Sequence, residues 1–415
     1  MKRIGIFGDI LLADSVVDIG FGFTEFVEKQ RVNYNNDLIP DLPAEIRVGN
    51  LEFVISCRSP HKGLKSRLHR TSPEKLQGFS DLPVEILSVA NNHILNHGID
   101  GYRETVSFLQ RQGFLIIGDS VTPGILVEVG ERKVGILSAS LVYDKDAEVN
   151  KCYNYLFPIK PISKKTYLEI MEKFPAYNEL LNRNYVLQSD IYMPQLDKIH
   201  SSLKNETSLI ELYIDCYGCD ILKNPIDAQI KELKQWSDYI IIYLHWGDEY
   251  VYSPASWQRK YSRLLSKNGA DAIIGCHSHT VQNIEMIENV PVVYSLGNTY
   301  FHTNNLDAQY GEAVILEFRP EGIDARIIGC KFDEKRRKTE IVTRKSTVIA
   351  GVSTEKLSVN EYLSLCATGI DQSRRYKRIF LIKNFFKIPV NIIFLQAISY
   401  TLRIISRFIR RLINE

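Results

Sequence analysis

The sequence YIIIYLHWGDEY at residues 239–250 begins a segment, ending at Asn298, in which three apolar runs are each followed at once by polar residues. The second run and its polar end are AIIGCHSH at residues 272–279, and the third are VVYSLGN at residues 292–298. Short β-branched and aromatic runs indicate buried strands, and α/β folds gather their chemistry just beyond such strands. The segment therefore predicts one site shared by three strand ends.

Histidines in this segment have the spacing of metal ligands. His277 and His279 lie two residues apart, so a tight turn can direct both imidazoles to one centre, and His245 could supply a third nitrogen. Imidazole suits zinc, iron, manganese or nickel, and Asp, Glu and Asn supply oxygen ligands. A histidine after a strand is more often a hydrogen-bonded structural residue, so that role stays open for His245 taken alone. For the pair beside Gly275, a metal or a phosphate role is equally open.

Three earlier apolar runs also end in polar residues. Strands are predicted at residues 3–7, 44–48 and 84–89, and they lead to Gly8-Asp9, to Gly49-Asn50-Leu51-Glu52 and to Asn91-Asn92-His93. Asn91, Asn92 and His93 have low propensity for both helices and strands, which favours a functional reason for their presence. For Asp9, a metal-ligand role and a capping role are both open.

The remaining pattern is typical of a layered α/β domain, because strands and helices alternate. Spacing predicts helices at 99–112, 227–236 and 257–268, and strands at 114–117, 125–129, 133–138, 313–318, 325–332 and 340–349. Between 143 and 228 the pattern weakens, with candidate helices around 166–174 and 178–187, so we interpret this stretch as an insertion that could cover the site. We predict a domain over residues 1–350, a linker at 351–370 and a tail at 371–415.

Taken in chain order, the strand-end motifs resemble the calcineurin-like metallophosphoesterase superfamily and, more closely, the CapA family of bacterial capsule or poly-γ-glutamate synthesis proteins. The six motifs are Gly8-Asp9, Gly49-Asn50-Leu51-Glu52, Ala90-Asn91-Asn92-His93, His245-Trp246-Gly247-x-Glu249-Tyr250, His277-x-His279 before Val281-Gln282, and Ser295-Leu296-Gly297-Asn298. The resemblance extends over about residues 3–320. It implies an α/β fold, a layered α/β/β/α metallophosphatase-like sandwich.

The resemblance also implies a metal centre with one or two divalent ions, as manganese, iron or zinc. Its implied ligands are Asp9, Glu52, Asn92, His245, His277 and His279. In this arrangement Asn92, His245 and His277 would surround one cation, Asp9 and His279 would surround the other, and Glu52 would bridge them. Two cations on one phosphate polarise it and convert a bound water to hydroxide near neutral pH.

Further roles follow from the same resemblance. His93 would stabilise charge on, or protonate, a leaving oxygen, with Asn91 and Glu249 as further catalytic residues. Asn50, Tyr250 and Asn298 would contact substrate.

One position departs from the superfamily, whose first motif is Asp-x-His, because Leu11 stands where that histidine is expected. The bridging acid also differs, since Glu52 lies in an Asn-Leu-Glu motif. These departures leave open one metal, a different pair, or no catalytic metal.

Two hypotheses for function follow. The first is a metal-dependent hydrolase or transferase acting on a phosphoester or related bond in the synthesis of a capsular or exported polymer. The second is a non-catalytic component that binds the polymer or its precursor, or organises the capsule synthesis machinery. The intact His277-x-His279 and Asn92-His93 motifs favour the first, and Leu11 favours the second. The substrate would be a polymer precursor or a phosphorylated small molecule.

Charge and cysteine content indicate which partners and which cellular compartment to expect. The formal net charge is +2, with basic residues concentrated after residue 370, so the rest of the chain is acidic and nucleic-acid binding is not expected. Seven scattered cysteines form no disulfide framework, and the lone Cys216-x-x-Cys219 is a weak motif. The residues after Lys2-Arg3 do not form a secretory signal, so we expect a cytoplasmic location.

The last 45 residues predict an amphipathic helix. Residues 396–410 place arginines and small polar residues on one face and large apolar residues on the other, as in helices that lie on anionic membranes. The uncharged run at 388–402 is shorter than the roughly 20 residues that a membrane span needs. We therefore expect a peripheral position at the inner face of the membrane, and packing against the protein or a partner is the alternative.

Overall fold

The computed structural model describes residues 2–15, 22–29, 34, 38–142, 152–154, 226–302, 307–320, 322–333 and 336–342, and the single residues 368 and 375. The predicted helices at 166–174 and 178–187, most of the insertion, nearly all of the linker and the tail lie outside these residues. In chain order the elements are β1 (Arg3–Ile10), α1 (Phe23–Lys29), β2 (Ile46–Leu51), β3 (Val54–Ile55), β4 (Arg70–Thr71), β5 (Ile86–Ser88), α2 (Gly98–Arg111), β6 (Leu115–Ile117), β7 (Gly124–Val129), β8 (Arg132–Ser140), α3 (Ile226–Lys234), β9 (Tyr239–His245), α4 (Ser256–Lys267), β10 (Ala272–Cys276), β11 (Ile284–Ile287), β12 (Val290–Val293), β13 (Asn298–Tyr300), β14 (Tyr310–Arg319), β15 (Gly322–Asp333) and β16 (Lys338–Val342).

Two sheets carry the fold. The first has the order β16-β15-β14-β1-β2-β5-β6, with β13 also paired to β1, and the second has the order β11-β12-β10-β9-β8-β7. Strands β1, β2, β5 and β6 are parallel, as are β8, β9, β10 and β12. Since the carboxyl ends of parallel strands share one edge of a sheet, polar residues that follow these strands gather there.

Alternating side chains build the layers. Ile6 in β1 and Ile241 in β9 belong to one apolar cluster between the two sheets, whereas Phe7, the next residue in β1, belongs to a second cluster. That second cluster includes Phe108 and Leu109 of α2, which covers the outer face of the first sheet. Successive strand residues point to opposite faces, so β1 contributes to both clusters.

The outer face of the second sheet is covered by α3, which contacts β7, β8 and β9, and by α4. Trp257 and Tyr261 are fully buried and lie four residues apart on α4, the spacing of one helix face. Helices on both outer faces complete an α/β/β/α sandwich. The predicted fold class is therefore confirmed for the described residues.

Most element predictions are confirmed with shifted ends. The strand predicted at 44–48 is β2 at Ile46–Leu51, and the helix predicted at 227–236 ends at Lys234. The predicted strand at 340–349 is described only to Val342, as β16. The sequence analysis missed α1, β3, β4, β11 and β13. Of these, β3, β4 and β13 have only two or three residues, and β11 has weak alternation. Among the described residues, no helix has the length and apolar character needed to cross a membrane.

Candidate metal centre

The carboxyl ends of the parallel strands meet at one edge of the sandwich. Asp9 is near the end of β1, Glu52 follows β2, and His245 ends β9. His277 and His279 follow β10, and all five residues are buried, with at most 2% of their surface exposed. Five of the six predicted ligands are therefore internal, and the sixth, Asn92, is half-buried after β5.

One group of potential ligands lies around Glu52 Oε1. Glu52, His245 and His277 each contribute one potential ligand atom, and these three atoms lie within 4.8 Å of one another. His245 Nε2 is 3.7 Å from Glu52 Oε1 and 2.8 Å from Asn92 Oδ1. The structure thus brings together the four residues that the resemblance assigns to one cation and to the bridge.

A second group lies on the other side of the same carboxylate. His279 Nδ1 is 3.9 Å from Glu52 Oε2 and 3.5 Å from Asp9 Oδ2, and the three residues fit within 4.8 Å. One oxygen of Glu52 therefore faces each group, as the predicted bridge requires. Leu11 is 1% exposed and packs in the apolar cluster beneath α2, so it contributes only packing.

A third group includes a residue that the sequence analysis did not assign. Cys276, the last residue of β10, has its Sγ atom 3.4 Å from His245 Nδ1 and within 4.8 Å of Asp9. In the sequence Cys276 continues an apolar run, which indicates a core position. Only its place directly before the His277-x-His279 motif could have indicated a neighbouring role.

The described residues fit a divalent cation. Both side-chain oxygens of Glu52 and both ring nitrogens of His277 are buried without a hydrogen-bond partner. Buried polar atoms without partners are costly, so atoms of this kind indicate a binding site for a ligand. Carboxylate, imidazole and amide donors together suit zinc, iron or manganese. A cation held here would pair with these orphaned atoms.

Burial sets the protonation of most of the centre. It raises the pKa of Glu52 well above the usual value, and the charge of Asp9 adds to that rise. Burial lowers the pKa of His277 well below its usual value and lowers that of His245 to about 4. Burial also raises the pKa of Glu249 to about 7.

Asp9 and His279 form the charged pair of the cation-free centre. Burial would raise the pKa of Asp9, but the hydrogen bond and charge of His279, with the charge of His245, lower it. Burial would lower the pKa of His279, but Glu52, Asp9 and Glu249 together raise it to about 10. The carboxylates therefore hold one positive charge at this place, where a metal ion would supply more.

Asn50 and Asn91 form hydrogen bonds that position the potential metal ligands. Asn50 Nδ2 donates to Asp9 Oδ1 at 2.8 Å, and Asn50 Oδ1 accepts from Asn91 Nδ2 at 3.1 Å. Asn91 Oδ1 accepts from the main-chain nitrogens of His93 and Ile94 at 3.1 and 3.0 Å. Both asparagines are 0% exposed. This bonding favours a positioning role for Asn50 over the predicted contact with substrate, and for Asn91 over the predicted catalytic role.

The remaining predicted residues lie around the opening. His93 is half-buried, with Nε2 3.9 Å from Glu52 Oε1. Glu249 and Tyr250 are half-buried, and the ring of Tyr250 is 5.7 Å from that of His279. Asn298 is 3% exposed, and its Oδ1 is 2.9 Å from His279 Nδ1. Asn298 thus orients a ligand, whereas His93, Glu249 and Tyr250 remain accessible to a substrate.

The fold and this edge define a class: a four-layer α/β/β/α protein with a candidate metal centre at the strand ends. The chain belongs to the family of the bacterial capsule synthesis protein PGA_cap, whose model matches residues 3–303. The predicted membership in a capsule and poly-γ-glutamate synthesis family is therefore confirmed.

Two relatives have names that refer to the synthesis of polymers of this kind. The chain is 26% identical over 302 residues to the PGA biosynthesis protein CapA of Bacillus subtilis (strain 168), covering 71% of this chain and 64% of that protein. It is 21% identical over 255 residues to a probable polyglutamine synthesis accessory protein of Mycobacterium tuberculosis, covering 60% of this chain and 53% of that protein. The matched part thus spans under two thirds of these relatives.

Similar solved structures include a putative 5'-nucleotidase from Staphylococcus aureus, with a TM-score of 0.38 and 11% identity, covering 89% of this chain and 58% of that one. A phosphatase from Mycoplasma pneumoniae has a TM-score of 0.38 and 8% identity, covering 80% of this chain and 95% of that one. At these values the likeness adds nothing to the fold described above.

Proposed function

We propose that this chain is a metal-dependent hydrolase or transferase that acts on a phosphoester or related bond during synthesis of a capsular polymer of the poly-γ-glutamate type. One observation carries the proposal: orphaned buried atoms of Glu52 and His277 converge with Asp9, His245 and His279 at one edge. A purely structural cluster would pair these atoms internally.

The residues of the chain divide the work as follows. Glu52, His245, His277 and Asn92 would hold one divalent cation, and Asp9, Glu52 and His279 would hold a second. When bound, the cations supply charge for the phosphoryl oxygens and lower the pKa of a water. His93, at the half-buried opening, meets the leaving oxygen of the substrate.

The test is a double variant, His277→Ala/His279→Ala, with His61→Ala as its matched control, because His61 is an exposed histidine outside the metal groups. We expect wild type and the control to bind manganese, iron or zinc near stoichiometry and to hydrolyse bis-p-nitrophenyl phosphate. The double variant should stay folded and lose both properties. The enzyme proposal would be wrong if wild type binds no metal and its thermal stability does not change when cations are added.

A second candidate is a non-catalytic component that binds polymer or precursor. The packing of Leu11 in the apolar core favours it, because the position offers no ligand to a second cation. Protein that binds metal and poly-γ-glutamate, yet hydrolyses no phosphoester in a broad panel, would support this candidate over the enzyme.

Partners and location rest on the sequence. We infer that residues 371–415 bind an anionic membrane surface, which would hold the chain beside capsule synthesis machinery at the inner face of the membrane. The basic residues and the apolar face of this tail support the inference. A polymer precursor or a phosphorylated small molecule is the proposed substrate.

A further inference from the structure

Beside the metal centre, one amide joins two imidazoles. Asn96 Nδ2 lies 2.9 Å from His93 Nδ1 and 3.1 Å from His69 Nδ1. The two rings are in contact, with centroids 4.0 Å apart and planes tilted by 44°. We call His69, His93 and Asn96 the amide-bridged pair. His69 and Asn96 have no part in the reaction proposed above.

The bridge fixes which ring nitrogens carry hydrogen. A side-chain amide nitrogen has two hydrogens to donate, and an imidazole nitrogen accepts one only when it is itself unprotonated. Asn96 can therefore satisfy both Nδ1 atoms at once, and each neutral ring then carries its hydrogen on Nε2. His69 and His93 thus become two hydrogen-bond donors at Nε2.

The Nε2 atom of His93 lies on the side of the metal centre, and the ring of His69 is in contact with that of His93. His93 Nε2 is 3.9 Å from Glu52 Oε1, the oxygen that faces His245. Because both rings turn Nδ1 towards one nitrogen and lie 4.0 Å apart, both Nε2 atoms lie away from Asn96. His69, His93 and Asn96 are all half-buried, so a substrate can reach the pair.

The backbone of His69 is held in a costly conformation. Its φ is +48°, in the left-handed region that non-glycine residues rarely adopt. Two hydrogen bonds fix it there: His69 N donates to Asp14 O at 2.8 Å, and His69 O accepts from Val54 N at 2.8 Å. Strain of this kind persists only where the surrounding structure imposes it, and it concentrates at functional sites.

Other strained residues show where such strain occurs in this chain. Among the described residues, positive φ outside glycine occurs at the metal centre, in Tyr250, His277 and His279, and in tight connections between strands, in Glu288, Asn289 and Arg337. His69 directly precedes β4 and touches His93, so it belongs with the first set. The strained backbone of His69 therefore holds its imidazole ring against that of His93, at the opening of the metal centre.

We propose that His69 is a second substrate-binding imidazole beside His93, and that Asn96 positions the pair so that both Nε2–H groups donate to oxygens of an anionic substrate at the metal centre. The proposal rests on the proposed function, since the anion is the phosphoester that the centre would hold. His69 and His93 are the groups that touch substrate, and Asn96 is a positioning residue.

The first test is nitrogen-15 NMR of the histidines in the zinc-loaded full chain, with inorganic phosphate as the probe. We expect His69 and His93 to show hydrogen on Nε2 and none on Nδ1, and phosphate to shift the Nε2 signals of both. In Asn96→Asp, the carboxylate can only accept, so the hydrogens of both rings should move to Nδ1. Phosphate that shifts His93 alone would overturn the role of His69, and unchanged tautomers in Asn96→Asp would overturn that of Asn96.

The second test is kinetic. Asn tolerates positive φ, so His69→Asn should keep the backbone conformation while it removes the imidazole and its Nε2–H group from this position. We expect kcat on bis-p-nitrophenyl phosphate to fall by about 10²-fold, the effect of losing one donor at a developing charge, with metal content unchanged. His61→Asn is the matched control, because the exposed His61 ring bonds to the main-chain oxygen of Asn96 at 2.8 Å. An equal rate in His69→Asn and His61→Asn would overturn the proposal.

The two proposals can fail separately. If zinc-loaded wild type binds phosphate and hydrolyses the ester, and His69→Asn hydrolyses it at the same rate, only the inference about His69 fails. If wild type neither binds phosphate nor hydrolyses the ester, the substrate role of the pair fails together with the proposed function.

Discussion

Glu52 links the two halves of the candidate centre, because its two carboxylate oxygens face different histidines. Oε1 lies 3.7 Å from His245 Nε2, and Oε2 lies 3.9 Å from His279 Nδ1. Its side chain is fully buried and makes no hydrogen bond within the described residues. In the absence of a cation, this carboxylate therefore opposes folding whenever it is charged.

The pH dependence follows from the direction of that shift. The pKa of Glu52 is raised by burial and by Asp9, so between pH 4.5 and the raised value the folded state binds more protons than the unfolded state. Below pH 6.5 the lowered pKa values of His245 and His277 act in the opposite direction, so the stability of the metal-free protein should fall as pH rises above 6.5. The raised pKa of His279, about 10, acts in the same direction above pH 6.5.

At the residue scale we expect Glu52→Gln to stabilise the metal-free protein at pH 7.5 and to abolish the stabilisation that cations give to wild type. The neutral amide removes the buried charge and also the bridging ligand. Thermal unfolding with and without manganese measures both effects. Glu131→Gln is the control, since the Glu131 side chain is 91% exposed and should leave both unchanged. A destabilised metal-free Glu52→Gln protein would contradict this account of the carboxylate.

His93 and His97 provide a second comparison. His93→Asn should lower the rate by roughly 10²-fold or more, a typical contribution of a group acting on the leaving oxygen, while metal content stays unchanged. In contrast, His97 is 3% exposed and both its ring nitrogens are bonded, to Ser59 Oγ at 2.8 Å and Leu68 O at 2.7 Å. His97→Asn should therefore lower stability without changing the rate per folded molecule. Loss of metal in His93→Asn would instead make His93 a ligand or its support.

At the element scale, close approach of strand ends decides where the ligands lie. Gly275 in β10 allows such an approach, since a Cβ there would lie 2.0 Å from Tyr294 O and 2.2 Å from Trp246 Nε1. Trp246 Nε1 in turn donates to Tyr294 O at 2.9 Å. The glycine thus lets the segments after β9 and β12 meet beside His277.

We expect Gly275→Ala to destabilise the protein by about 3 kcal/mol, the upper range for overpacking, and to reduce metal binding, because backbone atoms must move. Gly135→Ala is the matched control in β8 of the same sheet. There the nearest contact of a Cβ is the flexible end of Ile240, at 2.7 Å, so a loss of about 1 kcal/mol is expected. Urea unfolding and metal titration would compare the two, and equal losses would refute the argument from backbone contact.

At the scale of the whole molecule, charge divides the chain into an acidic body and a basic tail after residue 370. Each basic residue near an anionic surface contributes about 1 kcal/mol, and an apolar helix face adds to it. We expect the full chain to pellet with vesicles that contain anionic lipid, and to do so less at high salt. A chain truncated near Asp371 should stay in the supernatant and keep its metal.

The vesicle experiment has a direct control in vesicles of neutral lipid, which should bind the full chain weakly. If the truncated chain unfolds or aggregates, residues 371–415 belong to the core and the membrane assignment fails.

Local sequence determined much of this molecule. Short apolar runs and spacings of three to four residues predicted most of the strands and the three large helices of the sandwich, because these patterns follow from which side chains must be buried. The polar ends of three runs predicted one site that includes His245, His277 and His279, and the family resemblance added Asp9 and Glu52 as ligands.

Tertiary structure alone decided which polar atoms remain available. The resemblance predicted Asn50 and Asn298 as substrate contacts and Asn91 as a catalytic residue, yet each bonds to a ligand or to the backbone beside one. Asp9 pairs in register with Asn298, 289 positions away, and no local pattern carries such a pairing. His69 and Asn96 gave no signal in the sequence for the same reason: their contact with His93 depends on how distant segments pack, whereas periodicity reports only the burial of each segment.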